Sequence, residues 1–174
     1  TLQCYYMDMV SHSSPGASVN RKVSTDNGST WSSASVVITN GAVFSPGVTN
    51  AGVMAFSPIR IPDGRLFAEI SYFANSTALA LDTYRLGYTW STNDGVTWDL
   101  PTELVNPHGT NAYGTNTWAF SFGSYPLLTD AGVLILPAFV GTNIALGVDV
   151  TTNNCGAYES TDYGLSWNWR WWNC

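Results

Sequence analysis

The side chains able to do chemistry in this chain are poor in charge and rich in rings. Eight Trp, nine Tyr and seven Phe supply flat apolar faces of the kind that stack on sugar rings. Against them stand only Lys22 and five arginines, and the low charge suits a neutral polyol ligand. His12 and His108 lie among Ser, Gly, Asn and Pro, the composition of loops. No Cys, His or carboxylate spacing resembles a zinc or calcium site, so neither a metal nor a cofactor is expected. A net charge of −6 argues against nucleic acid, because phosphate binding needs clustered Lys and Arg to release counterions. An anionic membrane surface is disfavoured for the same reason. No apolar run approaches the ~18 residues of a spanning helix, so no membrane insertion is expected.

The three cysteines speak through their positions. Residues paired across an antiparallel hairpin have a constant index sum, and Cys155 with Cys174 sums to 329, centred on Gly164-Leu165. A disulfide between them is therefore expected, clipping the end of the chain where fraying would otherwise start. Cys4 remains unpaired within the chain, either buried or linked to another polypeptide. With a sequon at Asn75-Ser76-Thr77 this describes a secreted, glycosylated protein. A second sequon, Asn27-Gly28-Ser29, lies inside a tight turn and is expected to be modified less readily. Thr1-Leu2-Gln3-Cys4 is neither basic nor apolar enough for a leader, and an export signal is expected to have been removed already.

The elements that position these groups follow from an internal repeat. One octapeptide recurs as Ser24-Thr25-Asp26-Asn27-Gly28-Ser29-Thr30-Trp31, Ser91-Thr92-Asn93-Asp94-Gly95-Val96-Thr97-Trp98 and Ser160-Thr161-Asp162-Tyr163-Gly164-Leu165-Ser166-Trp167. A second element keeps the period: residues 58–67, with Asp63-Gly64, read like residues 126–135, with Asp130-Ala131-Gly132. Asp-Gly or Asp-x-Gly between apolar and β-branched residues is a hairpin signal. Each unit thus holds four strands, about 54–61, 65–73, 83–92 and 96–105 in the second and 123–129, 133–140, 154–161 and 165–172 in the third. Nothing has helical periodicity. Such four-stranded units at constant spacing are how propeller blades are built. In each octapeptide Asp26, Asn93 or Asp162 can fold its oxygen onto nearby N–H groups, and Gly28, Gly95 or Gly164 can take positive φ. Trp31, Trp98 and Trp167 offer a large face for packing between elements.

These octapeptides match the Asp-box pattern, and over nearly its whole length the chain resembles the sialidase superfamily. The resemblance implies an all-β fold, a six-bladed β-propeller of which this chain supplies about three blades, in units 1–40, 41–107 and 108–174. The second box departs from the pattern, with Asn93 where Asp is usual. The resemblance also implies an active site of three arginines, a Tyr nucleophile supported by Glu, and an acidic residue. Arg60, in Arg60-Ile61-Pro62, matches the family's Arg-Ile-Pro motif superficially but falls just before the hairpin, an ordinary strand position. Arg21 and Arg85 precede the first two boxes, where a solvated strand face is expected. Asp8 lies where the family holds its acidic loop. Catalytic candidates are thus Asp8, Arg60 and Arg85, and no full arginine triad can be assembled from this chain.

Projecting the repeat backwards with a 67-residue offset aligns Thr1 with Ala68, so the first unit lacks its first strand and hairpin. An open arc of blades leaves apolar faces exposed, and other copies of the chain or the remaining blades of the same propeller are the expected partners. Three functions stay open: a glycan-recognition module of sialidase-like build that is not catalytic on its own, a portion of an active exo-sialidase, or a structural extracellular protein polymerising through blade edges and disulfides.

Overall fold

A computed structural model describes residues 1–8, 18–39, 52–73, 84–107, 117–120, 125–142 and 154–171. Among them are twelve strands, no helix, and three antiparallel sheets. The first sheet has the order β1 (Leu2–Asp8), β2 (Ser18–Ser24), β3 (Ser35–Ile38). The second runs β4 (Gly52–Arg60), β5 (Leu66–Phe73), β6 (Tyr84–Ser91), β7 (Thr102–Glu103). In the third, β12 (Asn168–Trp171), β11 (Asn154–Ser160), β10 (Leu134–Thr142) and β8 (Thr117–Phe120) follow one another, and β9 (Leu127–Leu128) also pairs with β10. Two expected strands differ. The one expected at 96–105 is only Thr102–Glu103, because residues 92–97 are taken up by the octapeptide turn. Of the one expected at 123–129 only Leu127–Leu128 is a strand among the described residues, β8 ending before that span begins. The unit boundaries at 40/41 and 107/108 fall at the ends of stretches outside the described residues.

The three ladders share one register. Leu2 faces Ser24, Leu66 faces Ser91 and Leu134 faces Ser160. This corrects the backward projection: Thr1 corresponds to Arg65, at the start of a strand, and not to Ala68. The reason is a connection between β1 and β2 three residues shorter than that between β5 and β6, as Asp8 opposite Ser18 and Tyr72 opposite Arg85 show.

Side chains alternate across each strand, so this register decides which sheet each one meets. Val19 and Ile38 of the first sheet pack with Val53, Ile70 and Tyr72 of the second. On its other face the second sheet sets Phe67 and Leu86 against Leu134, Leu136, Ala138 and Val140 of the third. The middle sheet is covered on both sides, and Phe67 through Tyr72 are all 0–1% exposed. In β1 one face is covered and the other exposed, with Leu2 at 47% and Tyr6 at 40%.

Each octapeptide forms the same internally bonded turn. In the first, Ser24 Oγ accepts from Gly28 N at 2.8 Å and donates to Asp26 Oδ1 at 2.8 Å. Asp26 Oδ1 accepts from Thr30 N at 2.9 Å and its Oδ2 from Thr30 Oγ1 at 2.6 Å. The third repeats this through Ser160, Asp162, Gly164 and Ser166. In the second, Asn93 Oδ1 still accepts from Thr97 N at 2.9 Å, while Asn93 Nδ2 now donates to Thr97 Oγ1 at 2.7 Å. The amide keeps the backbone bond and reverses the direction of the other. Asn27, Asp94 and Tyr163 have φ of 57°, 60° and 53°, and Gly28, Gly95 and Gly164 have 90°, 77° and 88°. Two successive positive φ values are what a type I′ hairpin turn requires.

The second and third turns also press on the preceding sheet. A Cβ on Gly95 would collide with the Tyr5 hydroxyl of β1, and one on Gly164 would lie 2.7 Å from Trp90 Cζ2 of β6. At Gly28 the nearest atom would be Leu2 Cδ1, at 3.7 Å. The second turn is held further by Gln3 Nε2 and Arg21 Nη2, each donating to Asp94 O at 2.9 Å, and by the Arg60–Asp94 ion pair.

Cys4 is free and exposed on β1. The ladder between β11 and β12 pairs Gly156 with Trp171, an index sum of 327. Directly opposite positions therefore sum to two less than the expected 329, because the turn centres on the positive-φ pair Tyr163-Gly164, one residue before Gly164-Leu165. Cys174, like Asn75, His12 and His108, lies outside the described residues.

Carboxyl groups at the turns and in the core titrate in opposite senses. Hydrogen bonds hold Asp26 and Asp162 at about 2 against an ordinary 3.8, led by the Thr30 hydroxyl for Asp26 and the Ser160 hydroxyl for Asp162. Burial pushes Glu69 up from 4.5 to about 8, opposed by the hydroxyls of Ser71 and Ser57. Its Oε2 has no protein partner among the described residues.

Two measurements check this architecture. Gly28→Ala should destabilise by about 1–2 kcal/mol, the cost of a left-handed alanine. Gly95→Ala and Gly164→Ala should cost more, because Tyr5 or Trp90 must also move, so equal losses of melting temperature at all three would contradict the packing. The aspartates stabilise fully above pH 3.8 and cease to do so as pH falls through 2. Glu69 instead keeps a proton in the fold that the unfolded chain releases, so stability falls as pH rises from 4.5 to about 8. Asp26→Asn with Asp162→Asn should flatten the acid limb and Glu69→Gln the alkaline one in chemical denaturation across pH. Unchanged limbs would refute the assignments.

Candidate functional site

All five arginines lie among the described residues, and each is engaged. Arg21 and Arg60 converge on Asp94, Arg21 also donating from Nε to Gln3 Oε1 at 3.3 Å and Arg60 to Gly64 O at 2.8 Å. Arg60 and Asp94 line a cleft of about 280 Å³ together with Gln3, Tyr5 and Leu66. Arg65 pairs with Asp63 at 2.7 Å and lies 4.4 Å from the centre of the Trp90 ring. Arg170 pairs with Glu159 at 3.1 Å.

Arg85 corrects the expectation of a solvated strand face. It is 2% exposed, with Nε 3.2 Å from Glu103 Oε1, and Glu103 Oε2 accepts from the Tyr72 hydroxyl at 3.1 Å. A guanidinium can be buried here because a carboxylate at the short edge strand meets it, whereas removing either partner would strand a charge. Asp8 is exposed at the far end of β1 from the Gln3 that meets Asp94. The structure therefore does not bring Asp8, Arg60 and Arg85 together.

What it does bring together are rings. A groove of about 360 Å³ runs between the second and third sheets, walled by Tyr88, Tyr158, Trp167 and Trp169, with the exposed Val105 and Leu165 at its rim. Phe67, Tyr88 and Trp167 form one continuous aromatic contact, with Phe67–Tyr88 centroids 5.8 Å apart and Tyr88–Trp167 5.4 Å apart. Tyr158, Trp169 and Trp171 form a second, with edge-to-face contacts of 4.8 and 5.2 Å. Tyr158 fixes the groove across the sheets by donating to Val105 O at 3.0 Å. Burial, with the Glu103 charge beside it, raises its pKa, so the hydroxyl stays a donor. Glu103 is the one charged residue lining the groove, and Arg85 and Tyr72 already hold its carboxylate.

The neighbouring junction tests whether the fold demands these rings. The shared register makes Arg21 the counterpart of Tyr88, and Thr89 that of Tyr158. Counting on from the octapeptide tryptophans, Leu100 stands for Trp169. Only Trp167 has an aromatic counterpart, Trp98, which packs on Tyr5 and Phe56. The indole N–H groups of Trp98 and Trp167 both lack an acceptor among the described residues, a feature common to the two junctions, and that of Trp169 adds a third. One junction thus packs without the three extra rings that the other carries. The sequence singles out Trp167 as a packing residue of its octapeptide but not Tyr88, Tyr158 or Trp169. The signal available was this alignment of the repeats at 21, 88 and 157 and at 22, 89 and 158.

No family model and no curated protein matches the sequence. Solved structures do. A Hadza microbial sialidase matches with a TM-score of 0.63 at 16% identity, over 88% of this chain and 30% of that one. The polysaccharide lyase Uly1 matches with a TM-score of 0.65 at 11% identity, over 97% of this chain and 37% of that one. The NanB sialidase of Streptococcus pneumoniae gives 0.62 at 13% identity, over 97% and 41%. The chain spans about a third to two fifths of the length of these structures. At such identities the likeness is one of fold, and the chain has a sialidase-like all-β fold.

Proposed function

We propose that this chain is a carbohydrate-recognition module of sialidase-like build that does not hydrolyse glycosides on its own. The observation that carries the reading is the aromatic groove between the second and third sheets, whose extra rings the equivalent junction does without. Aromatic faces bind sugars through the apolar C–H faces of the pyranose, leaving hydroxyls to hydrogen-bond. Sialidases and a polysaccharide lyase among the similar structures support a carbohydrate ligand. The scattering of the five arginines supports the absence of catalysis, because no three of them share a site. A second reading, a portion of an active exo-sialidase, is favoured by the greater length of the sialidase neighbours.

In this proposal the three sheets are successive blades of a propeller, and the octapeptides are Asp boxes. The face of β1 carrying Leu2 and Tyr6 corresponds in register to the faces carrying Leu66 and Ile70, or Leu134 and Ala138, which are buried against a preceding sheet. Another blade or another copy of the chain covers it. The protein is secreted, carries glycan at Asn75 and closes a Cys155–Cys174 disulfide.

The chain should bind immobilised oligosaccharides and leave a fluorogenic sialoside intact. Turnover abolished by Arg60→Ala or Arg21→Ala would establish the enzymatic reading instead. Light scattering should find a dimer or larger species, and non-reducing peptide mapping a Cys155–Cys174 link. A compact monomer, or a link from Cys4 to either of the others, would contradict these two assignments respectively.

A further inference from the structure

Resting on the carbohydrate reading, we infer that the groove of Tyr88, Tyr158, Trp167 and Trp169 takes an uncharged pyranose unit and discriminates against acidic sugars. The accessible ring surface belongs to the half-buried Tyr88, Trp167 and Trp169, backed by Tyr158 at 3% exposed, with the apolar Val105 at 69% and Leu165 at 79% beside them. Among the residues lining it there is no cation; Arg85, which meets the groove's Glu103, is 2% exposed, and Arg170, next to Trp169 in the chain, is paired with Glu159. A sialic or uronic carboxylate placed here would lose its water and find no counter-charge, a cost that neutral hydroxyls avoid. The chain's net charge of −6 opposes the same ligands at longer range.

A neutral sugar meets the opposite situation. Its C–H face covers apolar ring surface while its hydroxyls keep their water, since Arg85 and Tyr72 hold the Glu103 carboxylate and the Ser166 hydroxyl donates to Asp162. The volume of about 360 Å³ is near the lower end of the ~300–1,000 Å³ usual for small-molecule sites, which suits a short unit of a glycan more than a long chain. Selectivity then follows from what the groove lacks in charge, while affinity follows from the rings.

Isothermal titration with lactose, maltose, cellobiose and 3′-sialyllactose tests this on the whole chain. At least one neutral sugar should bind, and sialyllactose should bind more weakly than lactose. Trp169→Ala should weaken the neutral sugar by about tenfold, the scale of one aromatic stacking contact. Val105→Arg, which adds a cation at the rim, should improve the binding of sialyllactose relative to that of lactose. If sialyllactose binds wild type as well as lactose does, or Trp169→Ala and Val105→Arg change nothing while glycans still bind, the inference fails and the broader reading survives. Failure of every sugar to bind overturns both. Loss of self-association in Trp169→Ala without loss of sugar binding would make the groove a contact between copies and sink the inference.

Discussion

The structure depends on a serine hydroxyl and a carboxylate or amide that bond back onto a tight turn. Ser24, Ser91 and Ser160 sit buried at the ends of β2, β6 and β11, each accepting the N–H of the glycine four residues on. The third residue of the turn takes the N–H four residues further from it. With those donors satisfied locally, the chain holds two successive positive φ values that most residues avoid. The turn closes on the strand whose other edge pairs in the shared register of Leu2–Ser24, Leu66–Ser91 and Leu134–Ser160, and that register decides which face of each sheet is apolar. It also delivers a glycine with no side chain to the surface of the preceding sheet, where Tyr5 and Trp90 leave no room for a Cβ.

Because every sheet is built on the same lock, the two junctions are internal controls for one another. What both keep, the fold needs: the octapeptide tryptophan and the close-packed glycine. What only one keeps has another cause. Tyr88, Tyr158 and Trp169 stand where the first junction has Arg21, Thr89 and Leu100; that junction packs Trp98 on its own rings, Tyr5 and Phe56, and adds polar bonds to Asp94, whereas the second encloses a groove. The burial of Arg85 belongs to the same arrangement, since its pairing with Glu103 leaves the groove without a free charge. Glu69 shows the constraint from inside. A carboxyl in a strand covered on both faces remains protonated near neutrality because no cation reaches it.

The repeat, the hairpins and the residues of the turn were legible in the sequence because each is local, fixed by a few neighbouring residue types. The positions of charged groups were not. Arg85 reads as an exposed strand residue until Glu103, eighteen positions later, is known to fold over it. The offset of the first unit was misjudged because the octapeptide alone cannot report a connection three residues shorter between β1 and β2. Cys155 and Cys174 are placed nearly opposite by the hairpin's index sum, and the ladder sum of 327 moves the centre of that pairing by one residue, within the shift a turn type can introduce. The groove escaped notice for a related reason, since its walls come from β6, β11, the third octapeptide and β12, and only the shared register brings them into one list.

The central claim, that this one junction is the binding surface, can be read directly from its indole N–H groups. The eight tryptophans give resolvable indole signals in a ¹H–¹⁵N correlation spectrum. Titration with a neutral oligosaccharide should move those of Trp167 and Trp169 and leave that of Trp98 at the other junction in place. Shifts at Trp98 equal to those at Trp167, or saturable binding with both groove signals unmoved, would contradict it.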